Sequence, residues 1–335
     1  MREMLKDIYV SVIIPVYNAV DTLHGCLESL GKQTYPYLEL IFINDNSEDG
    51  SLMALIDFAA SLKESETVVV KVISHDVNQG VAVARNTGLE HAAGEYIYYI
   101  DADDWIDENA IQIAVAEAER TAADIVGFDW YLSFAKKERL MQQPGFSSPK
   151  EAIVKMLEGR MRWNLWIFLV RRSLYEAHII RFTPQMNMGE DMMVMFKLFS
   201  LAEKVSHLPQ ALYHYGQSNE ESLTKVYADK HIQEVTQNMN EVERFLTVGR
   251  YADLVRTKLD LLKLNIKLPL LISDERDRYQ KWRYWFPESN RYAWKNRVQS
   301  LRIRLIQWAA WKRQFWIVKL HYHGVIRLLY GVIYR

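Results

Sequence analysis

Five apolar runs of strand length alternate with four segments of helical pattern through the first 130 residues. The runs are Tyr9–Val16, Leu38–Asn44, Val68–Ser74, Tyr96–Asp101 and Asp124–Trp130; the helical segments are Asp21–Lys32, Ser51–Leu62, Val81–Ala92 and Ala110–Arg120. Strands that are apolar throughout are covered on both faces, and helices returning between successive strands supply that cover. The alternation predicts an α/β fold whose sheet is mostly parallel and flanked by helices. Ligands of such sheets bind in the crevice beyond the carboxyl ends of the strands. Three polar stretches stand there: Pro15-Val16-Tyr17-Asn18, Asn44-Asp45-Asn46-Ser47 and Asp101-Ala102-Asp103-Asp104.

Residues 140–150 are polar and carry Pro144, Gly145 and Pro149, which predicts a loop closing the first half. After it come a Trp-rich stretch, Arg162–Trp166, a strand ending at Arg171, and a helix opening at Gly189-Glu190-Asp191. From about Ala228 the pattern is helical to the end. A chain of 335 residues suits one domain of ordinary size plus an extension. The expected division is 1–225, made of 1–130 and 150–225, followed by a helical region, 226–335.

That region ends in a basic segment, because Ser289–Arg335 holds ten Lys or Arg and no Asp or Glu. Trp294, Trp308, Trp311 and Trp316 lie within it, and on a helix Leu301, Leu305 and Trp308 share a face that Lys312 and Lys319 interrupt. Such a segment suits an anionic membrane surface; a packed helical subdomain is the alternative. No run approaches the roughly 18 to 20 apolar residues that span a bilayer. Met1–Asp7 lacks the pattern of a signal peptide, and Cys26, the single cysteine, is expected to be a buried thiol in a reducing compartment.

Asp101 and Asp103 leave a strand end one residue apart, so their carboxylates diverge, one toward a ribose hydroxyl and the other toward a divalent ion on two phosphates. Mg and Mn take oxygen ligands and keep substrate phosphates in their shell. An isolated Asp-x-Asp is better explained as a solvated turn or helix cap; position at the strand end reverses that balance in favour of the ion. Asp45 can accept from the imide nitrogen of a uracil ring, or simply form an Asx turn over Asp45-Asn46-Ser47. Asn78, Gly80, Arg85 and Asn86 form a third cluster, with Gly80 where backbone can approach a ligand and Arg85 available to phosphate oxygens, unless it lies on a solvated helix face. Glu190 and Asp191 open a helix whose dipole favours acids there; the catalytic reading gives one of them the proton of an attacking hydroxyl.

In this order the pieces resemble the family 2 inverting glycosyltransferases of the GT-A fold. The resemblance starts at Ser11-Val12-Ile13-Ile14-Pro15-Val16-Tyr17-Asn18 and passes through Leu30, Gln33-Thr34-Tyr35 and Asn44-Asp45-Asn46-Ser47-Glu48-Asp49-Gly50-Ser51. It takes in Asn78-x-Gly80 and Ala84-Arg85-Asn86-x-Gly88, closes with Asp101-Ala102-Asp103-Asp104 and Gly189-Glu190-Asp191, and extends to about Thr224. It implies a catalytic domain over 1–225 with a helical C-terminal extension. It implies a uridine wall of Pro15, Val16, Tyr17, Asn18 and Asp45, with Asn78, Gly80, Arg85, Asp101 and Ala102 also binding the donor. Asp103, with Asp101, is implied to hold Mn or Mg, and Asp191 to be the general base, with Glu190 next in line. Leu212-Tyr213-His214-Tyr215, with Ser222 beyond, resembles a segment that closes over the donor, which turns His214 to the pyrophosphate or metal unless it is a hydrogen-bonded structural histidine. Two positions depart from the family pattern: Phe168 stands where many relatives have Lys, and Asn44 where Asp is usual.

The implied activity is metal-dependent, inverting transfer of a hexosyl or glucuronosyl group from a UDP-sugar to a saccharide or lipid-linked acceptor. Similar bacterial enzymes build lipopolysaccharide core or capsule at the cytoplasmic face of the membrane, and nucleic acid is then the poorer partner for the basic segment. A sugar-nucleotide-binding module without catalysis is the alternative; it would keep Asp45 and lose Asp103 or Asp191, and both are present. A nucleotidyltransferase would carry a Gly-rich basic loop after the first strand, which Pro15-Val16-Tyr17-Asn18-Ala19 is not.

Overall fold

The computed structural model describes residues 9–63, 65–134, 136–217 and 228–330. The expectations placed on Met1–Asp7, Ser222, Thr224 and residues 331–335 lie outside the described residues. The chain forms two compact units, Met1–Ile153 with Trp163–Arg250, and Val154–Arg162 with Tyr251–Arg335.

In the first unit β1 (Val10–Val16), β2 (Leu38–Asn44), β3 (Val68–Ser74) and β4 (Tyr96–Tyr99) pair in parallel in the order β3-β2-β1-β4. Helices α1 (Val20–Gly31), α2 (Ser51–Ser61), α3 (Val81–His91) and α4 (Ala110–Thr121) alternate with the strands at the expected places. Every residue of β2 is buried, as a strand covered on both faces requires. Cys26 is fully buried in α1, and burial pushes its thiol pKa up.

Past β4 the sheet is mixed. It adds β5 (Trp105–Ile106), β6 (Ile125–Phe134), β7 (Lys137–Met141), β8 (Phe168–Arg171) and β9 (Val205–Gly216) in the order β3-β2-β1-β4-β8-β6-β9-β5, with β7 on β6. β8 is antiparallel to β4 and β6, whereas β6 and β9 run parallel. β7 overlaps the start of the loop expected at 140–150. Lys137, Glu138, Arg139 and Leu140 on it are exposed, and a charged outer hairpin arm has no apolar run to announce it. Helices α5 (Pro149–Leu157), α6 (Arg172–Ala177), α7 (Glu190–Leu201) and α8 (Asp229–Leu246) follow, and α8 belongs to the first unit, which runs to Arg250.

β1 has β2 on one side and β4 on the other, so the strand order reverses here and a crevice opens at the carboxyl ends. Tyr17, Asp45 and Asp101 stand just beyond those three ends. α3 reaches the crevice because Gly88 lets it sit on β1, where an added Cβ would lie 2.3 Å from Cγ2 of Ile13.

The second unit holds α9 (Ala252–Ile266), α10 (Arg276–Tyr284), α11 (Leu301–Trp311) and α12 (Phe315–His321). Its core encloses Lys267, whose ammonium donates to the carbonyls of Trp285 (2.8 Å) and Phe286 (3.1 Å) and to Oδ1 of Asn290 (2.7 Å), and lies 4.4 Å from the Trp282 ring centroid. α11 buries Ile306, Ala309 and Ala310 and leaves Leu301 and Leu305 exposed. Among the described residues no helix is long and apolar enough to cross a membrane.

Gly88→Val should therefore lower stability by about 1–3 kcal/mol, the usual cost of overpacking, because Ile13 is buried and cannot yield. Thermal unfolding checks this; an unchanged melting temperature would show that α3 can lift off β1 freely.

Candidate active site

Arg85, 4% exposed on α3, organises the crevice. Its Nη1 donates to Glu190 and to Asp191, each at 2.7 Å, and its Nη2 to Asp101 at 3.2 Å. The rings of Tyr99 and Phe182 lie 5.9 and 5.7 Å from the guanidinium. Burial works against its charge, but Asp191, Glu190 and Asp101 outweigh that and hold the guanidinium above its ordinary pKa. Both hydrogens of Nη1 and one of Nη2 thus go to carboxylates, while the buried Nε has no hydrogen-bond partner among the described residues, so Arg85 serves protein acids before any phosphate oxygen. Three further hydrogen bonds fix α3 in place: Asn86 exchanges a pair with the backbone of Phe182 (2.8 and 2.9 Å), and Oδ1 of Asn187 accepts from the Ala82 N–H (3.1 Å).

Asp101, Glu190 and Asp191 crowd this cation, and Asp103 and Asp104 act on Asp101. Burial, then Asp103 and Asp191, push Asp101 up to about 6 despite Arg85. Glu190 rises well above the usual carboxylate range through burial and its neighbour Asp191. Asp104 rises likewise through burial, Asp101 and Asp103, although it accepts from the Tyr213 hydroxyl (2.6 Å) and the Gly216 N–H (2.7 Å). Sequence reasoning passed over this buried carboxylate. Asp191 also accepts from the Leu165 N–H at 3.3 Å, and the start of α7 is set by Gly189 at φ +78° and by Asn238, which holds the Met188 carbonyl at 2.9 Å.

At the neighbouring strand ends, Tyr17 is 50% exposed and Asn18 is exposed, with Pro15 and Val16 behind them. The turn after β2 is closed by Asn44, whose Oδ1 accepts from the Ser47 N–H at 3.2 Å. Asp45 turns instead to the loop after β3, accepting from the backbone of Gln79 (2.9 Å) and Gly80 (2.7 Å) and from the His75 ring (2.7 Å). Asn78 is exposed on that loop, and Gly80, at φ +85°, begins α3. Ala102 is buried between its two acids.

His214 is not positioned to hold a metal, which corrects that expectation. Its Nδ1 meets Glu138 at 2.7 Å and its Nε2 meets Asp107 at 2.9 Å, and the ring is stacked between Trp105 and Tyr131. Leu212–Tyr215 is part of β9, with Leu212 and Tyr213 fully buried. Its structural role is what the alternative reading held.

A divalent ion, implied by the resemblance, suits the donor set at Asp101 and Asp103. Both offer hard oxygens, and both are partly exposed. No cluster of three acidic, His or Cys ligands occurs among the described residues, but Mg usually takes one or two carboxylates and completes its shell with water and phosphate.

The sequence matches the glycosyl transferase family 2 description over residues 11–191, more than half its length, and the chain belongs to that family. It is 32% identical to the uncharacterized glycosyltransferase EpsJ of Bacillus subtilis (strain 168) over 67% of this chain and 66% of that protein. It is 34% identical to the putative glycosyltransferase EpsH of the same strain, over 62% of this chain and 60% of that one. The chain thus spans just under two thirds of these relatives. The glucosyltransferase WfgD of Escherichia coli is 36% identical over 30% of this chain and 38% of its own. The fold is similar to that of Staphylococcus aureus TarS 1–349 crystallised with UDP-GlcNAc, with a TM-score of 0.71 at 17% identity, covering 94% of this chain and 92% of that one. It is the GT-A fold with a helical C-terminal region.

Burial disfavours a charged His214, but Asp107 and Glu138 outweigh it and raise its pKa above 6.5. The stability this adds is complete below pH 6.5 and is lost as pH rises through the higher folded value. The unfolding free energy of the wild type minus that of His214→Gln should therefore be level in mild acid and shrink on going alkaline. A difference that does not vary with pH would contradict the paired imidazolium.

Proposed function

We propose that the protein is an inverting transferase moving a hexosyl or glucuronosyl group from a UDP-sugar to a hydroxyl of a saccharide or lipid-linked saccharide. The product belongs to a bacterial surface polysaccharide, lipopolysaccharide or capsule. The observation that carries this reading is the buried cluster in which Arg85 joins Asp101, beyond β4, to Glu190 and Asp191 at the opening of α7. Transfer between a nucleotide donor and a hydroxyl needs a donor-holding carboxylate and a base held in one fixed arrangement. TarS, crystallised with UDP-GlcNAc, supports a UDP-sugar donor. WfgD, named as a UDP-Glc:alpha-D-GlcNAc-diphosphoundecaprenol beta-1,3-glucosyltransferase, supports a lipid-linked acceptor as well.

In this reading Asp191 takes the proton of the acceptor hydroxyl as its oxygen attacks the anomeric carbon opposite the leaving diphosphate. One bond forms as the other breaks, and the centre inverts. Asp103 with Asp101 would hold Mn or Mg, which supplies positive charge against the departing diphosphate. Tyr17 offers its ring face and Asp45 an acceptor to the base, while Arg85 keeps the clustered acids from driving the strand end and helix apart. Glu190, deeper and with a raised pKa, is the second candidate for the base.

The second unit supports a peripheral place on the cytoplasmic membrane. Leu301 (64%), Trp316 (65%) and Leu320 (65%) are exposed, as are Arg302, Lys312, Arg313 and Lys319.

Asp191→Asn should cut turnover at least about 100-fold, the lower end for loss of a general base, and leave UDP affinity within a few-fold. Product formation and calorimetric UDP titration measure the two; near-parental turnover would move the base elsewhere. On anionic phosphatidylglycerol vesicles the protein should float at low salt and progressively less as ionic strength rises. Leu301→Glu with Trp316→Glu should abolish that flotation, and failure of the parent to float at low salt would end the membrane reading.

A further inference from the structure

His75 sits one residue past β3 and bridges two elements of the crevice. Its Nδ1 meets Oδ1 of Asp45 at 2.7 Å, its Nε2 meets Oγ1 of Thr87 on α3 at 2.9 Å, and its backbone N–H donates to the Asn44 carbonyl at 2.9 Å. The side chains of His75 and Asp45 are 8% and 4% exposed, so neither is free to swing into solvent. Since a carboxylate accepts but cannot donate, Nδ1 carries the hydrogen, and the Thr87 hydroxyl is left to satisfy Nε2.

A carboxylate has about four lone-pair directions. On Asp45, Oδ1 accepts from His75 and from the Gln79 N–H, and Oδ2 accepts from the Gly80 N–H. Among the described residues three directions are filled, and the remaining one is on Oδ2. We propose that His75 is a positioning residue that locks the Asp45 carboxylate so that this single acceptor is presented to the donor's base, which makes His75 a determinant of uracil over cytosine. Uracil carries an N–H at its ring position 3 and can donate there. Cytosine carries a lone pair at the same position and meets another lone pair. Without His75, Oδ1 regains an open direction and only the Gln79 and Gly80 N–H groups restrain the carboxylate about χ2, whose wells are broad for Asp, so the distinction between the bases weakens. The proposal rests on the reading of Asp45 as the contact to the base.

Calorimetric titration with UDP and with CDP, each under the same Mn concentration, tests both layers. The wild type should prefer UDP, and His75→Ala should reduce the UDP-to-CDP affinity ratio by about tenfold, the worth of one hydrogen bond to a charged group. His75→Asn, whose amide can donate from the position of Nδ1, should restore most of the ratio. Thr87→Val, which removes only the outer bond, should reduce it roughly threefold and decides the question if His75→Ala does not fold. Equal weakening of both nucleotides in His75→Ala, with the ratio unchanged, would make the histidine merely structural and overturn the proposal. Asp45→Asn separates the two readings. If it collapses the ratio while His75→Ala does not, only the positioning role fails; if it leaves the ratio intact, Asp45 does not read the base and both fall.

Discussion

A buried guanidinium that must be neutralised is the constraint on which the crevice depends. Arg85 is removed from water at a cost that only well-placed partners offset, and it finds them in acids from two distant parts of the chain. Buried ion pairs add little net stability against apolar alternatives, so the consequence of this one is geometric. The end of β4 and the first turn of α7 can approach only with Arg85 between them. Gly88, Asn86 and Asn187 then hold α3 where that side chain can serve both.

The two histidines beside the crevice show the same economy of donors. Each uses both ring nitrogens as a crosslink, His75 between the ends of β2 and α3, His214 across β5, β7 and β9. Neither has a nitrogen to spare. The acids are uneven in the same way: Asp104 and Glu190 are enclosed and raised, whereas Asp103 keeps partial access to solvent.

The parallel half of the fold was legible because its strands are apolar from end to end and its helices recur between them. β7 was not, since Lys137, Glu138 and Arg139 give no apolar signal. The clustering of Asp101, Arg85 and Asp191 was only half legible. Position at a strand or helix end marked Asp101 and Asp191, and the Asn78-Gly80-Asn86 cluster marked Arg85, but Arg85 and its α7 partners are 105 and 106 residues apart, and no spacing rule reports a contact at that range. The three carboxylate partners of Arg85 were accordingly not legible in the sequence. His75 lies at a strand end that the same rule covers, and applying it after β3 as after β2 would have singled the residue out.

The two units are interleaved along the chain, with residues 154–162 grouped apart from the flanking segments on either side. Met156, Leu157 and Met161 in that excursion are buried, as are Glu158 and the apolar cores of α9 to α11. The helical region is therefore not modular in the sense of an appendage joined at one point. A single recombination junction near residue 250 would separate α9 to α12 from the short apolar segment that groups with them. An exchange that kept the unit whole would need three junctions, at 153/154, 162/163 and 250/251.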